Sequence, residues 1–341
     1  MLVRVPDYYD AFYCLAGACP HSCCEKWEVV IDEETAHRYG EVPGPLGDKL
    51  RAAMQRDEDG DVCFPLNGSR CPFLDEENLC EIHRKLGEEA TSVTCREHPR
   101  FTEDYGPFRE VTLSASCPAA NGLLLGSEEP LAFRTFETAE PEEEGDSWLE
   151  SLLPLREKLL EILKDRSRPL WERMKGFLLL AFEAQGCLDE ECPEEIPALL
   201  RDWRPWEPEG NKRMEPLFPR ALQCLGELEV LEPDWRKLLK QAETAPAAEV
   251  SEHLLERIAV YIGFRYLLKA VNDGDLLSRA QLVVFTVLTV ERLTAVCGVS
   301  EALRRFSCEI EHSEENLDAL LERFWTEKAL SFENMLCALQ A

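Results

Sequence analysis

The chain is short of positive charge. Its 341 residues carry 37 Lys and Arg against 66 Asp and Glu, a formal net charge of −29. So acidic a protein repels phosphate backbones, which excludes nucleic acid as a general partner and leaves only local basic spots such as Arg96, Arg100 and Arg109. Acidity of this kind serves solubility, and it would also draw in a cationic substrate such as a lysine-bearing protein. Long hydrophobic runs are lacking too. The N-terminal MLVRVPDYYD reaches an acid at Asp7 without the apolar stretch of a secretory signal. The longest aliphatic run, Leu282 to Val290, stops at Glu291 and is about half of what a bilayer requires. A cytoplasmic protein with no membrane span is expected.

Several motifs are missing as well. There is no CxxC, which argues against zinc ribbons and thioredoxin-like redox chemistry. The CxxxCxxC of radical enzymes that cleave S-adenosylmethionine does not occur. No GxGxxG joins a strand to a helix; the nearest cluster, YGEVPGPLG, has the wrong spacing and no strand before it. A doubly wound nucleotide-binding sheet is therefore not expected. No repeat of about 20 to 50 residues is visible.

What is present is cysteine, fifteen in all, nine of them between Cys14 and Cys117. The segment CLAGACPHSCCEKW places Cys14, Cys19, Cys23 and Cys24 within eleven residues. With 45% apolar residues the chain can bury a full core and does not need disulfides. In a reducing compartment, clustered thiols point to metal. Thiolates are soft ligands suited to iron–sulphur clusters and zinc, and several of these cysteines precede a proline (CPH, CPF, CPA) that would fix a ligand loop. Irregular spacing without CxxC suits a [4Fe-4S] cluster best; zinc, or reduced structural cysteines, are the alternatives. Adjacent side chains diverge on a helix or strand, so only one of Cys23 and Cys24 is expected to be a ligand on geometric grounds. Cys63 reads as a buried small residue and the six later cysteines as core packing. His21 reads as a non-ligand and His83 as a packing residue.

The fold class expected is mainly α: an irregular Cys-rich region over 1–130, an acidic loop or linker over 131–147, and a helical domain over 148–341. Short strands are expected in KWEVVID and FREVTLSAS. Apolar residues recur at three and four positions in SWLESLLPLREKLLEILKD, in PLWERMKGFLLLAFEAQG, which a Gly should end, and in EHLLERIAVYIGFRYLLKAVNDGD, stopped by Asn-Asp-Gly. LSRAQLVVFTVLTVERLTAVCG is apolar nearly all round and should be the central buried helix. SEALRRFSCEI and SEENLDALLERFWTEKAL each offer a Ser as N-cap.

Taken in order, CLAGACPHSCCEKWEVVID, CPFLDEENLCEIHRKLGEEATSVTCREHPRF and LSASCPAA, then FRYLLKAVNDGDLLSR and FSCEIEHSEENLDALL, resemble the flagellin lysine-N-methylase family, with a Cys-rich zinc- or iron-chelating region at the N-terminus. The resemblance is weakest from Pro130 to Ala248. It implies transfer of methyl groups from S-adenosylmethionine to lysine ε-amines of flagellin, inside the cell. The cysteines matching its motif are Cys14, Cys19, Cys23, Cys24, Cys71, Cys80, Cys95 and Cys117; which of them bind metal is left open.

Methyl transfer from a sulphonium to an amine needs a neutral amine and close alignment. An iron with three cysteine ligands would keep a position for an amino-carboxylate; the other reading is a cluster that only holds the fold. Arg96 and Arg100 after Cys95 are cofactor-binding candidates, or charges that offset thiolates. Tyr266, Glu311 and His312 are candidates for a lysine channel or base, the alternative being acids that cap a helix and face water. The competing function is a non-catalytic metal-binding adaptor, Fe–S or zinc, whose helices bind a partner.

Overall fold

The structure, a computed structural model, describes residues 1–25, 29–57, 60–204 and 217–339. Its strands are β1 (Leu2–Pro6), β2 (Val29–Val30), β3 (Gln55–Arg56), β4 (Val62–Phe64), β5 (Arg100–Asp104), β6 (Phe108–Leu113) and β7 (Phe133–Glu137). The helices are α1 (Glu33–Glu41), α2 (Gly44–Ala53), α3 (Glu81–Leu86), α4 (Val93–Glu97), α5 (Pro118–Leu125), α6 (Leu149–Lys164), α7 (Leu170–Asp189), α8 (Ile196–Asp202), α9 (Leu217–Glu227), α10 (Trp235–Thr244), α11 (Glu252–Tyr266), α12 (Leu276–Cys297), α13 (Val299–Phe306), α14 (Glu314–Thr326) and α15 (Phe332–Ala338). The protein is mainly α, as its periodicity predicts.

The residues group into two compact units. One comprises Ala11–Phe101 and Leu113–Ala120; the other comprises Met1–Asp10, Thr102–Thr112 and the described residues from Asn121 onward. Thus β1 and most of β6, which lie inside the Cys-rich stretch of the sequence, group with the helices.

The Cys-rich unit is built on the short antiparallel sheet β2-β4-β3, registered by Val29↔Phe64 and Gln55↔Cys63. Val29, Ile31, Tyr39, Leu50, Phe64, Phe73 and Ile82 form its small core. Asp32 caps α1 through Thr35 N (2.9 Å), and its second carboxylate oxygen accepts from Val93 N (2.9 Å), so one side chain fixes the start of two helices. The expected strand in KWEVVID is confined to β2, since Lys26, Trp27 and Glu28 lie outside the described residues. Cys63 is buried in β4, as a small core residue should be.

In the helical unit the sheet order is β5-β6-β1-β7, with β1 parallel to β6 (Leu2↔Phe108) and antiparallel to β7 (Leu2↔Glu137). Buried Arg156 of α6 donates to both oxygens of buried Glu110 on β6 (2.6 and 2.9 Å) and to Phe264 O of α11 (3.2 Å), tying sheet and helices together. Buried α12 is central, as its uniform apolarity predicts. By length and composition it is long and apolar enough to cross a membrane, which corrects the reading from Leu282–Val290 alone: the helical segment extends well beyond that run. Its residues from Leu276 to Val290 are all buried within the unit.

Local details differ from expectation. Gly186 does not end α7, which runs on to Asp189; an isolated helical Gly costs only about 1 kcal/mol. The helix read through LLKAVNDGD becomes a 3-10 turn after Tyr266. Gly298, at φ 80°, precedes α13 in place of a Ser cap, and Ser300 instead donates to Asn121 Oδ1 at 2.9 Å. Ser313 does cap α14, accepting from Asn316 N at 3.1 Å.

Candidate functional site

Of the sequence-derived catalytic candidates, the fold brings Tyr266 and Glu311 together. Arg257, Tyr261 and Arg265 recur every fourth residue on α11 and so form one stripe of that helix. Opposite them, α13 passes into a single π turn, Ser307–Glu311, which adds a residue to the helical repeat and turns Glu309 and Glu311 inward. Glu311 Oε2 accepts from Tyr261 Oη at 2.9 Å and from Tyr266 Oη at 3.4 Å, and it pairs with Arg265 Nε at 3.1 Å. The Glu311 side chain is 1% exposed and that of Arg265 6%, so the acid does not face water as a helix cap would. His312 closes the π turn, half-buried.

Burial raises both tyrosine hydroxyls well above their usual range, and the Glu311 charge pushes them further. They stay protonated throughout the physiological range. Burial by itself would lower the Arg265 guanidinium, but Tyr266, Glu311 and Tyr261 outweigh it and the group remains a cation. The constellation is a carboxylate neutralised by one arginine and capped by two hydroxyl donors. Arg265 also hydrogen-bonds Tyr266, so the carboxylate, the cation and the two hydroxyls form one connected polar cluster.

Glu309, two residues back, has a different task. Its carboxylate accepts from Leu231 N (3.0 Å) and Glu232 N (2.7 Å), pinning the loop between α9 and α10. Burial raises it to about 7, against those two amides, which lower it.

Sequence reasoning missed Tyr261 and Arg257. The available signal was the four-residue recurrence of Arg257, Tyr261 and Arg265 in an otherwise apolar helix. Arg257 donates to Glu129 O (2.6 Å) and Leu124 O (2.5 Å).

The cysteines of the other unit form no disulfide. Cys24 and Cys80 pack on the core that holds buried Cys71, and Cys24 O accepts from Cys71 N at 2.8 Å. Burial raises the thiols of Cys71, Cys80 and Cys95, and the nearby charge of Cys24 raises each of them further. Cys117 is coupled to Cys14 and Cys19, and Cys23 to Cys14 and Cys95. Cys23 and Cys24 lie in a turn, where neither helical nor strand geometry forces their side chains apart, and their thiols interact, which lowers Cys24 and raises Cys23. Among the described residues no three His, Cys, Asp or Glu side chains are arranged to hold a metal ion.

Arg96, in the last turn of α4, donates to the carbonyls of Thr91 and Glu89. The Arg100 guanidinium lies 5.4 Å from the Phe12 ring centre and donates to Arg96 O at 3.5 Å. His83 is exposed, not packed, although its backbone N–H donates to Cys80 Sγ at 3.5 Å. Of the six later cysteines only Cys224 is fully buried; the others are half-buried, so core packing describes one of them.

A cleft of about 440 Å³ opens in the helical unit between the end of α7 and the start of α12. Trp148, Trp325, Asp189, Glu191, Asp273 and Asp275 are among its lining residues.

The family model of the FliB lysine N-methylase C-terminal domain matches residues 156–338, more than half of the chain. The match contains Arg257, Tyr261, Arg265, Tyr266 and Glu311, and none of the nine N-terminal cysteines. A lysine-N-methylase of Salmonella choleraesuis (strain SC-B67) is 28% identical over 179 residues, covering 47% of this chain and 40% of that protein. One from Salmonella typhimurium (strain LT2) is 27% identical over 173 residues, with the same coverage. The flagellar biosynthetic protein FliU of Salmonella muenchen is 27% identical over 136 residues, 38% of this chain and 80% of that protein. The chain thus spans about 40% of the length of the two lysine-N-methylases. No solved structure matches it. With its helical unit matched across the buried Glu311 constellation, the chain belongs to the FliB lysine N-methylase C-terminal domain family.

Proposed function

We propose that this protein methylates lysine ε-amines of flagellin, with S-adenosylmethionine as methyl donor, in the cytoplasm before export. The observation that carries the reading is the buried Glu311, held by Tyr261, Tyr266 and Arg265 inside the family-matched segment. A lysine ammonium has no lone pair to attack with. The Arg265 cation cancels the Glu311 charge, so the site does not favour an incoming ammonium and the amine enters neutral. The polar cluster around Glu311 orients the amine so that the nitrogen lone pair faces outward. The nitrogen then bonds to the methyl carbon as the carbon–sulphur bond breaks, and the bond pair returns to sulphur as a thioether. The methylated ammonium loses its proton to solvent. The protein's contribution is alignment and the choice of protonation state.

For the metal, the fit is one of donor type. Eight thiols of the motif lie in one unit. Soft thiolate donors at irregular spacing, with no CxxC, suit an iron–sulphur cluster better than zinc. Cys24, Cys71, Cys80 and Cys95 would hold it, with Cys23 bonded to Cys24 and Cys14, Cys19 and Cys117 flanking. Its chemistry there would be to hold the unit's loops and to offer a charged centre; Arg96 and Arg100, just after Cys95, would offset thiolate charge or meet the carboxylate of the methyl donor.

The test is anaerobic purification followed by iron, sulphide and zinc analysis, with a methylation assay on flagellin. Methylated lysine together with iron and sulphide supports the whole reading. Zinc without methyl transfer returns the protein to the adaptor reading.

A further inference from the structure

Tyr8 stands at the end of β1, and its position is fixed by a chain of contacts. Pro6 pairs with Phe133 in the sheet, and Phe133 stacks on Phe264 of α11 with ring centres 3.8 Å apart. Asp7 N donates to Ala132 O at 2.9 Å, and Ala132 N returns to the Asp7 carboxylate at 3.4 Å. Further back in sequence, Glu129 and Leu124 accept from Arg257, two helical turns before Phe264. The segment from Phe133 back to Leu124 therefore runs along α11 from Phe264 to Arg257. Tyr8, next to Asp7, lies along the stretch of helix that carries Tyr261.

Tyr8 is 8% exposed, and its hydroxyl has no hydrogen-bond partner among the described residues. A buried hydroxyl without a hydrogen bond carries the full cost of its desolvation. Its neighbours are already engaged: Tyr261 with Glu311, Arg257 with two carbonyls, Asp7 with Ala132. The charge of Glu311 is felt at Tyr8, and Tyr8 is felt at Tyr261, so the three belong to one electrostatic neighbourhood. A phenylalanine would fill the same space without leaving a hydroxyl unpaired, yet the position carries a tyrosine.

We infer that Tyr8 is a third substrate-contacting tyrosine of the Glu311 site, its unused hydroxyl held for the lysine amine. The inference rests on the proposed lysine-methylating function. Tyr8 lies outside the family-matched segment, so the site is completed by residues from the other end of the chain.

The experiment compares the full chain with its Tyr8→Phe variant in two measurements. The melting temperature of the variant should be equal or higher, because a buried unpaired hydroxyl has been removed. Its kcat/KM for a lysine-bearing flagellin should fall about tenfold, the loss of one hydrogen bond. An unchanged kcat/KM overturns the inference while leaving the proposed function standing. A fall in both quantities overturns it as well, since the hydroxyl would then be supporting the fold. If the unmodified protein methylates no lysine, the proposed function fails, and binding of n-butylamine followed by NMR decides the matter for Tyr8. Weaker binding by Tyr8→Phe keeps the assignment; equal or absent binding ends it.

Discussion

Tyr261 donates to Glu311 at 2.9 Å across fifty residues of sequence, from the middle of one helix to the end of a π turn. The bond is buried at both ends, and Arg265 shares the same carboxylate oxygen. Removing the acid would leave a buried guanidinium without its counter-charge and two hydroxyls without their acceptor. Glu311→Ala is expected to lose about 3–5 kcal/mol of stability in urea unfolding, and methyl transfer with it. Tyr261→Phe, which deletes one donor and keeps the ring, should lose only about 1–2 kcal/mol and should reduce kcat/KM more than stability.

The Arg156–Glu110 pair tests the frame that carries this site. Both side chains are almost inaccessible and bond through both carboxylate oxygens. Glu110→Ala leaves buried Arg156 with Glu157 alone as counter-charge, 3.0 Å from its Nε, and should cost about 3 kcal/mol. The paired change to Glu110→Leu with Arg156→Met should recover most of that loss. A double-mutant cycle by urea unfolding measures the coupling.

Metal content separates the cysteines. Single changes to Ser at Cys24, Cys71, Cys80 or Cys95 should each lower bound iron and sulphide severalfold. The same change at Cys224 or Cys337 should leave both at the unmodified level. Elemental analysis of anaerobically purified protein gives the answer, and equal losses at all six positions would refute the quartet.

The loop pinned by Glu309 should respond to pH. Burial raises this carboxyl from its ordinary 4.5 to about 7, so between those values the folded protein keeps a proton that the unfolded chain has released. The stabilisation from this group is complete below about 4.5 and is lost as pH rises through about 7. The melting temperature should therefore decline across that window, and Glu309→Gln should flatten the decline. Calorimetry at a series of pH values is sufficient.

The helices were the legible part of the sequence. Leu282 to Val290 marked the buried α12, and Ser313 marked the start of α14, because periodicity and capping are local properties. Tyr266 and Glu311 were legible as polar residues in apolar surroundings. Arg257 and Tyr261 were not, since their importance depends on what faces them. The π turn has no local signature, so nothing in SCEIEH indicated that Glu311 would turn inward. The thiol contact between Cys23 and Cys24 was hidden for a related reason: the divergence rule applies to regular backbone, and the pair lies in a turn. Tyr8 was beyond reach because its surroundings come from residues more than a hundred positions away.

The division of the chain has a consequence for its synthesis. Every residue of the Cys-rich unit lies between Ala11 and Ala120. The sheet of the helical unit, by contrast, needs β7, and the Glu311 site needs the π turn near the end of the chain. Domains fold as units while the ribosome works from the N-terminus at about 5–20 residues per second. The thiol-bearing unit is thus complete roughly ten to forty seconds before the residues that build the Glu311 site have emerged. For about the first one to three seconds of that interval β1 is out of the ribosome without β7, which completes its pairing, and the cysteines stand assembled in a nascent chain. The order of events in the cell is set by this interleaving: first the thiols, then the sheet, and last the buried acid.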